Sequence, residues 1–299
     1  MVGPVRKGNT MVAVDPLGIV RAAEEGGYAV GAFNMHNPET TQALIEAAIQ
    51  ADAPVFLQVG RAIVPHMGLA EAYRMTRYEL DKYGLPLPIH LDHGTYDEIF
   101  EAIRLGFDSL MFDGSHLDFE ENIRQTKHVV NVAHSFGIPV EAELGKIPDA
   151  AVDIHWPDFY TKVEEAERFV AETGVDMLAI SAGVMHGITG VDPQPLAIDL
   201  IKDIKAATGV PLVLHGASGV PPAELQAAVH AGVHKLNADT DLRHAFREGL
   251  ESVFAQGDRQ LEDAMAEGRR RMIEATVMKM TEYGCAGQAR RLPARESVH

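Results

Sequence analysis

Three histidines each precede a glycine at the end of an apolar run. His93-Gly94 closes Pro88-Ile89-His90-Leu91-Asp92, His186-Gly187 closes Met177 to Met185, and His215-Gly216 closes Pro211 to Leu214. A buried strand looks this way when its tip delivers polar groups into a site. Neutral imidazoles suit zinc or another borderline divalent cation, and three protein ligands leave a coordination position open, as a catalytic site requires. His93, His186 and His215 are therefore the candidate metal ligands. A cation held this way polarises a substrate carbonyl and stabilises an enolate-like species. Successive side chains of a regular strand point to opposite faces. Asp92 should then diverge from His93, acting as a support or a proton donor rather than a ligand. Its structural alternative is a helix N-cap, although Gly94 and Thr95 lie nearer the expected helix start.

A second constellation follows the third histidine. His215-Gly216-Ala217-Ser218-Gly219 and, after the next apolar run, Asn237-Ala238-Asp239-Thr240 combine glycines that admit a close backbone approach with hydroxyls that donate. Loops of this kind after the last two strands of a barrel bind phosphate through backbone N–H groups.

These residues need elements to carry them. Asp15-Pro16 opens a helix that stops at Gly26-Gly27, following a loose arm over residues 1–14. Eight apolar runs then alternate with helical stretches, beginning with Tyr28–Asn34, Pro54–Val59, Pro88–Asp92 and Ser109–Asp113. Pro139–Leu144, Met177–Ala182, Pro211–Leu214 and Val233–Asn237 complete the set. Continuous rather than alternating hydrophobicity marks strands buried on both faces of a parallel sheet. Eight such units predict an α/β fold of the (β/α)8 TIM-barrel type, with its site at the C-terminal strand ends. The alternative, an open doubly wound sheet, is weakened because Phe33-Asn34-Met35-His36-Asn37 lacks a glycine-rich dinucleotide fingerprint. The barrel is expected over about residues 15–240. A helical extension covers about 241–299, helical from Asp241 to about Tyr283, all in a single domain.

Composition bounds the rest. The 299 residues are 46% hydrophobic and 23% charged, with a net charge of −17. An anionic surface argues against nonspecific binding of nucleic acid or acidic membranes. One cysteine, Cys285, excludes an internal disulfide and fits a reducing compartment. Residues 1–11 lack an apolar core of signal-peptide length and no 18-residue apolar run occurs, so a soluble cytoplasmic protein is expected.

Several stretches together resemble the class II, metal-dependent ketose-bisphosphate aldolases, especially the branch containing the tagatose-bisphosphate aldolases. They are Gly-Ala-Phe-Asn-Met-His-Asn (31–37), His-Leu-Asp-His-Gly (90–94), Asp-Gly-Ser-His-Leu-Asp-Phe-Glu-Glu-Asn (113–122) and Val-Glu-Ala-Glu-Leu-Gly (140–145). Thr-Gly-Val-Asp-Met-Leu-Ala (173–179), Leu-His-Gly-Ala-Ser-Gly (214–219) and Lys-Leu-Asn-Ala-Asp-Thr-Asp (235–241) extend the match. The resemblance implies zinc on His93, His186 and His215, with Asp92 moving the proton of the aldehyde oxygen. It implies that Gly187, Gly216, Ser218, Asn237, Asp239 and Thr240 hold the phosphate of dihydroxyacetone phosphate and that Asn34 lines the pocket. Glu143 belongs to the same set of site candidates. The resemblance further implies a phosphorylated sugar substrate, a Na+ or K+ ion near the phosphate loops, and a homodimer or homotetramer. In such an assembly Arg290 or Arg291 of a neighbouring copy would reach a second phosphate.

The chain also departs from the family pattern. The loop after the fifth strand lacks the Gly-Gly pair and the glutamate that takes the donor's carbon-bound proton. Within Gly145 to Trp156, Asp149, Asp153 or His155 is the candidate substitute, and the motif places none of them. Val184-Met185 replaces small or hydroxyl residues before His186, and Gln58-Val59-Gly60-Arg61 offers Arg61 as a new anion contact where a serine is usual. The implied activity is reversible cleavage of a phosphorylated ketose. The altered loops keep a noncatalytic companion subunit and a sugar-phosphate isomerase or epimerase as alternatives.

Overall fold

The computed structural model describes residues 14–147, 155–185 and 195–289. Asp15 accepts the Gly18 N–H at 2.9 Å and so starts α1 (Pro16–Gly26), whose proline occupies the first turn, where no N–H is needed. The chain then runs through β1 (Val30–Asn34), α2 (Pro38–Ala51), β2 (Val55–Val59) and a short α3 (Val64–Met67). It continues through α4 (Leu69–Tyr83), β3 (Ile89–Gly94), α5 (Tyr96–Leu105), β4 (Ser109–Phe112) and α6 (Phe119–Ser135). Next come β5 (Val140–Leu144), α7 (Val163–Thr173), β6 (Met177–Ile180), α8 (Ile198–Thr208) and β7 (Leu212–Leu214). The last elements are α9 (Pro222–Ala231), β8 (Val233–Ala238), α10 (Thr240–Phe254) and α11 (Leu261–Glu282).

The strands pair in parallel, in chain order, and β8 closes onto β1 with Ala32 opposite Asn237. This is the (β/α)8 barrel that the continuous apolar runs predict. Every strand residue is buried except Asn34 at the tip of β1, because helices cover the outside and side chains fill the inside. The filling is unusual. His90 and Asp92 on β3, Glu141 and Glu143 on β5, and Lys235 and Asn237 on β8 are each two residues apart, which places each pair on one strand face. Contacts among them, described below, show that this face is the barrel interior, where apolar side chains ordinarily stack.

The helical stretch beyond Asp241 is built of two helices. The chain turns between Phe254 and Leu261, with Gly257 at φ 104°. A Cβ on Gly249 would lie 2.5 Å from the Cα of Gly268, so a glycine at this crossing lets α10 and α11 approach closely. Helix α11 also packs on α2, where Arg269 donates to Gln42 at 2.9 Å and to Glu46. Beyond α11, buried Tyr283 stacks on Phe33 with ring centroids 6.3 Å apart and accepts the Ala29 N–H at 3.0 Å. The C-terminal pair is thereby tied to the start of the barrel. No helix among the described residues is long and apolar enough to cross a membrane.

Candidate active site

The tip of β3 does not stay regular. His93 has φ 53°, a left-handed conformation that costs a non-glycine residue about 1–2 kcal/mol, and the pairing register with β4 shifts between Leu91 and Gly94. This corrects the expectation that Asp92 and His93 diverge. Ligand atoms of Asp92, His93 and His215 lie within 4.8 Å of one another, and all three residues are buried. Nor does Asp92 cap the following helix. Thr95 accepts the Glu98 N–H, and the Glu98 carboxylate returns to the Thr95 N–H at 2.8 Å.

Each of these two histidines rests on a carboxylate. Nδ1 of His93 lies 2.7 Å from Oδ2 of Asp113, whose Oδ1 takes the Ser115 N–H at 3.1 Å and its hydroxyl at 2.7 Å. Nε2 of His215 lies 2.9 Å from Oε1 of Glu141, while its Nδ1 is 3.2 Å from the amide nitrogen of Asn237. The two rings meet edge to face with centroids 4.6 Å apart. Carboxylates at one nitrogen of each ring leave Nε2 of His93 and Nδ1 of His215 as the nitrogens suited to coordination, the arrangement by which metal-binding histidines are oriented.

The electrostatics suit a cation. Burial disfavours charge on His93, but Asp92, Asp113 and Glu143 outweigh it and push the imidazole up to about 9. Burial would raise the Asp92 carboxyl, yet His93, His215 and Lys235 together hold it below its ordinary value. Burial keeps His215 below its ordinary value, against the hydrogen bond to Glu141 that would raise it. Glu143, 3.8 Å from His93, is pushed up to about 8 chiefly by burial. Its Oε2 is buried with no hydrogen-bond partner among the described residues. The Asp92 and Asp113 carboxylates beside buried imidazoles favour positive charge, so this donor set fits a divalent metal. Asp92 with the two histidines forms one candidate ligand group, and His93 with Asp113 and Glu143 forms another.

Above the cluster opens a cavity of about 310 Å³. Asn34 of β1, Gln58 of β2 and Arg61 after β2 line it, and Gly216 and Ser218 line it from the loop after β7. A Cβ on Gly216, at φ 65°, would fall 2.2 Å from the carbonyl oxygen of Met185, so only glycine fits there. Asn237, Asp239, Thr240 and Arg243 complete the wall. Thr240 is the first residue of α10, whose positive end suits an anion. The carboxylate of Asp239 is engaged by Nε2 of His36 at 2.7 Å and by Nε of Arg243 at 2.6 Å, which offsets its charge beside that anion site.

Thus Asn34, Arg61, Asp92, His93, His215, Gly216, Ser218, Asn237, Asp239 and Thr240 share one cavity, and Glu143 joins through His93. His186, Gly187, Asp149, Asp153, Arg290 and Arg291 lie outside the described residues. His155 is exposed and pairs with Asp158 at 3.3 Å. Gln58, Arg243 and Lys235 were not candidates in the sequence. Lys235 carried the clearest available signal, a charge in the middle of an apolar strand.

Comparison with known proteins adds a family. The family model described as "Fructose-bisphosphate aldolase class-II" matches residues 14–288. The chain is 38% identical over 274 residues to the sulfofructosephosphate aldolase of Alkalicoccus urumqiensis, covering 90% of this chain and 95% of that protein. It is 36% identical to the fructose-bisphosphate aldolase of Giardia intestinalis, covering 89% and 91%. The crystal structure of the YdjI aldolase from Escherichia coli K12 superposes with a TM-score of 0.82 at 33% identity, covering 92% of this chain and 99% of that one.

Proposed function

The chain belongs to the class II fructose-bisphosphate aldolase family, and we propose that within it the protein is a zinc-dependent aldolase. It reversibly cleaves a phosphorylated ketose to dihydroxyacetone phosphate and an aldehyde. The observation that carries this reading is the cluster of Asp92, His93 and His215, with each imidazole backed by a carboxylate at 2.9 Å or less. His93 and His215, with His186 as the family pattern implies, would hold the metal. When bound, the metal supplies a Lewis acid for the substrate's carbonyl oxygen.

The remaining work falls to the chain's own side chains. Ser218, Thr240, the backbone around Gly216 and the first turn of α10 bind the donor's phosphate, fixing the carbonyl end against the ligands. Oδ1 of Asp92 accepts from the Asn237 amide at 3.2 Å, which leaves Oδ2 to meet the substrate. Held ionised by the surrounding cations, Asp92 takes the hydroxyl proton as the carbon–carbon bond breaks. It returns that proton to the aldehyde oxygen in condensation. Arg61, which lines the same cavity, meets an anionic group at the far end of the ketose. The carbon-bound proton is assigned to the segment between Lys146 and Tyr160, with Asp149, Asp153 and His155 as the candidate bases.

The test is release of dihydroxyacetone phosphate from a panel of fructose-, tagatose- and sulfofructose-type ketose phosphates. A rearranged ketose or aldose with unchanged carbon count would replace the aldolase reading with the isomerase one. The absent loop glutamate favours one second reading, a noncatalytic companion subunit. Turnover by the purified chain that collapses in Asp92→Ala would exclude it.

A further inference from the structure

An ion pair lies beneath the cavity, wholly sealed from solvent. Nζ of Lys235 is 2.9 Å from Oε2 of Glu141, with both side chains at 0% exposure. The pair gains little for stability. A buried ion pair is weakly stabilising or worse relative to apolar residues of similar volume, and barrel interiors are ordinarily filled by such residues. The ammonium has a further contact. It donates to Oδ1 of Asn237 at 2.9 Å, and Phe56 lies beside it with its ring centroid 5.8 Å from Nζ.

An ammonium can only donate, so the atom of Asn237 that faces Lys235 must be its carbonyl oxygen. The opposite corner of the amide is then the NH2, which lies 3.2 Å from Oδ1 of Asp92 and 3.2 Å from Nδ1 of His215. The flipped amide would set its NH2 against the ammonium and its carbonyl oxygen against the Asp92 carboxylate. The two orientations occupy nearly the same volume, so packing alone does not choose between them. The charge on Lys235 does.

We infer that Lys235 is a positioning residue whose buried ammonium fixes the Asn237 amide so that its NH2 is presented to Asp92. Glu141 balances the charge and at the same time holds His215 by its far nitrogen, so one pair supports both halves of the site. The kinetic consequence rests on the aldolase reading of Asp92, whereas the structural consequence does not.

The experiment compares Lys235→Met in the native chain and on an Asn237→Ala background, after circular dichroism and thermal melts establish folding. In the native background kcat should fall by about tenfold or more, with KM changed by less than about threefold. On the Asn237→Ala background the same substitution should lower kcat by less than about threefold, because the group it positions is gone. A high-resolution crystal structure of Lys235→Met should show the Asn237 amide turned or withdrawn from Asp92. If Lys235→Met alone does not fold, Lys235→Met/Glu141→Gln is read against Glu141→Gln alone in both backgrounds, so that the loss of the carboxylate behind His215 cancels. The inference is overturned if the full loss in kcat persists on the Asn237→Ala background, or if the Asn237–Asp92 contact is unchanged in the variant structure. Absence of aldol turnover in the wild-type chain would defeat the proposed function, and the crystal structure would still decide the role of Lys235.

Discussion

His93 and Asp113 are joined by a 2.7 Å contact between Nδ1 and Oδ2, made from a left-handed backbone conformation that aims the imidazole back into the barrel mouth. Burial would raise the Asp113 carboxyl, but its bonds to His93 and Ser115 hold it well below the ordinary value, so it is a permanent anion at this position. Removing it in Asp113→Ala should weaken divalent-metal affinity by about 10–100-fold, the range for losing a carboxylate behind a metal-bound histidine. Competition with a calibrated chelator measures this, and unchanged affinity would mean that Asp113 serves packing alone.

Asp92 lies close enough to both histidines to be mistaken for a ligand. Its assignment as the proton carrier predicts that Asp92→Asn keeps bound metal while kcat falls by about 100-fold or more. Metal content and kcat measured on one preparation separate the two roles. Loss of metal in step with activity would make Asp92 a ligand.

Arg61 lines the cavity that the phosphate loops also line. A charge-assisted hydrogen bond of about 1.5–3 kcal/mol predicts that Arg61→Ala raises KM about tenfold or more for ketoses with a distal phosphate or sulfonate. Ketoses without that anion should show little change. An equal effect on both substrate types would remove Arg61 from specificity.

His90, buried beneath the site, is pushed down to about 3, first by burial and then by Lys235. An unfolded chain protonates this imidazole near pH 6.5, whereas the folded chain does not until about pH 3. Its contribution to stability is therefore complete above pH 6.5. It drains as pH falls through that window, at about 1.4 kcal/mol per unit. Urea titrations of chelator-treated protein at pH 7 and pH 5.5 should show a smaller loss for His90→Gln than for wild type. Equal losses would mean that His90 takes up its proton in the folded state as well.

The barrel was legible because burying a strand on both faces demands an unbroken apolar run, and turns such as Gly26-Gly27 punctuate those runs. The strand tips were legible too. A carboxylate and an imidazole ending the run at Asp92-His93 have few structural uses at a barrel mouth. The mutual orientation of those two residues was not, because sequence alternation assumes a regular strand. The positive φ at His93 is a tertiary outcome of packing against β4. The division of the C-terminal helical stretch into α10 and α11 is a tertiary outcome of the same kind. Helical propensity runs on through residues 241–283, and the chain turns where Gly257 and the Gly249–Gly268 crossing let two helices lie side by side. The polar floor of Glu141 and Lys235 is visible in sequence only as isolated charges in apolar strands. Their pairing depends on barrel closure, which brings β5, β7 and β8 around one axis.

The central claim is that the chain's carbon–carbon cleavage depends on a metal bound at His93 and His215. The most direct test is release of dihydroxyacetone phosphate from a ketose phosphate before chelation, after complete removal of metal, and after readdition of zinc. Activity should disappear on stripping and return with the added ion, and a His215→Ala variant should not recover. Turnover that survives complete metal removal would contradict the claim.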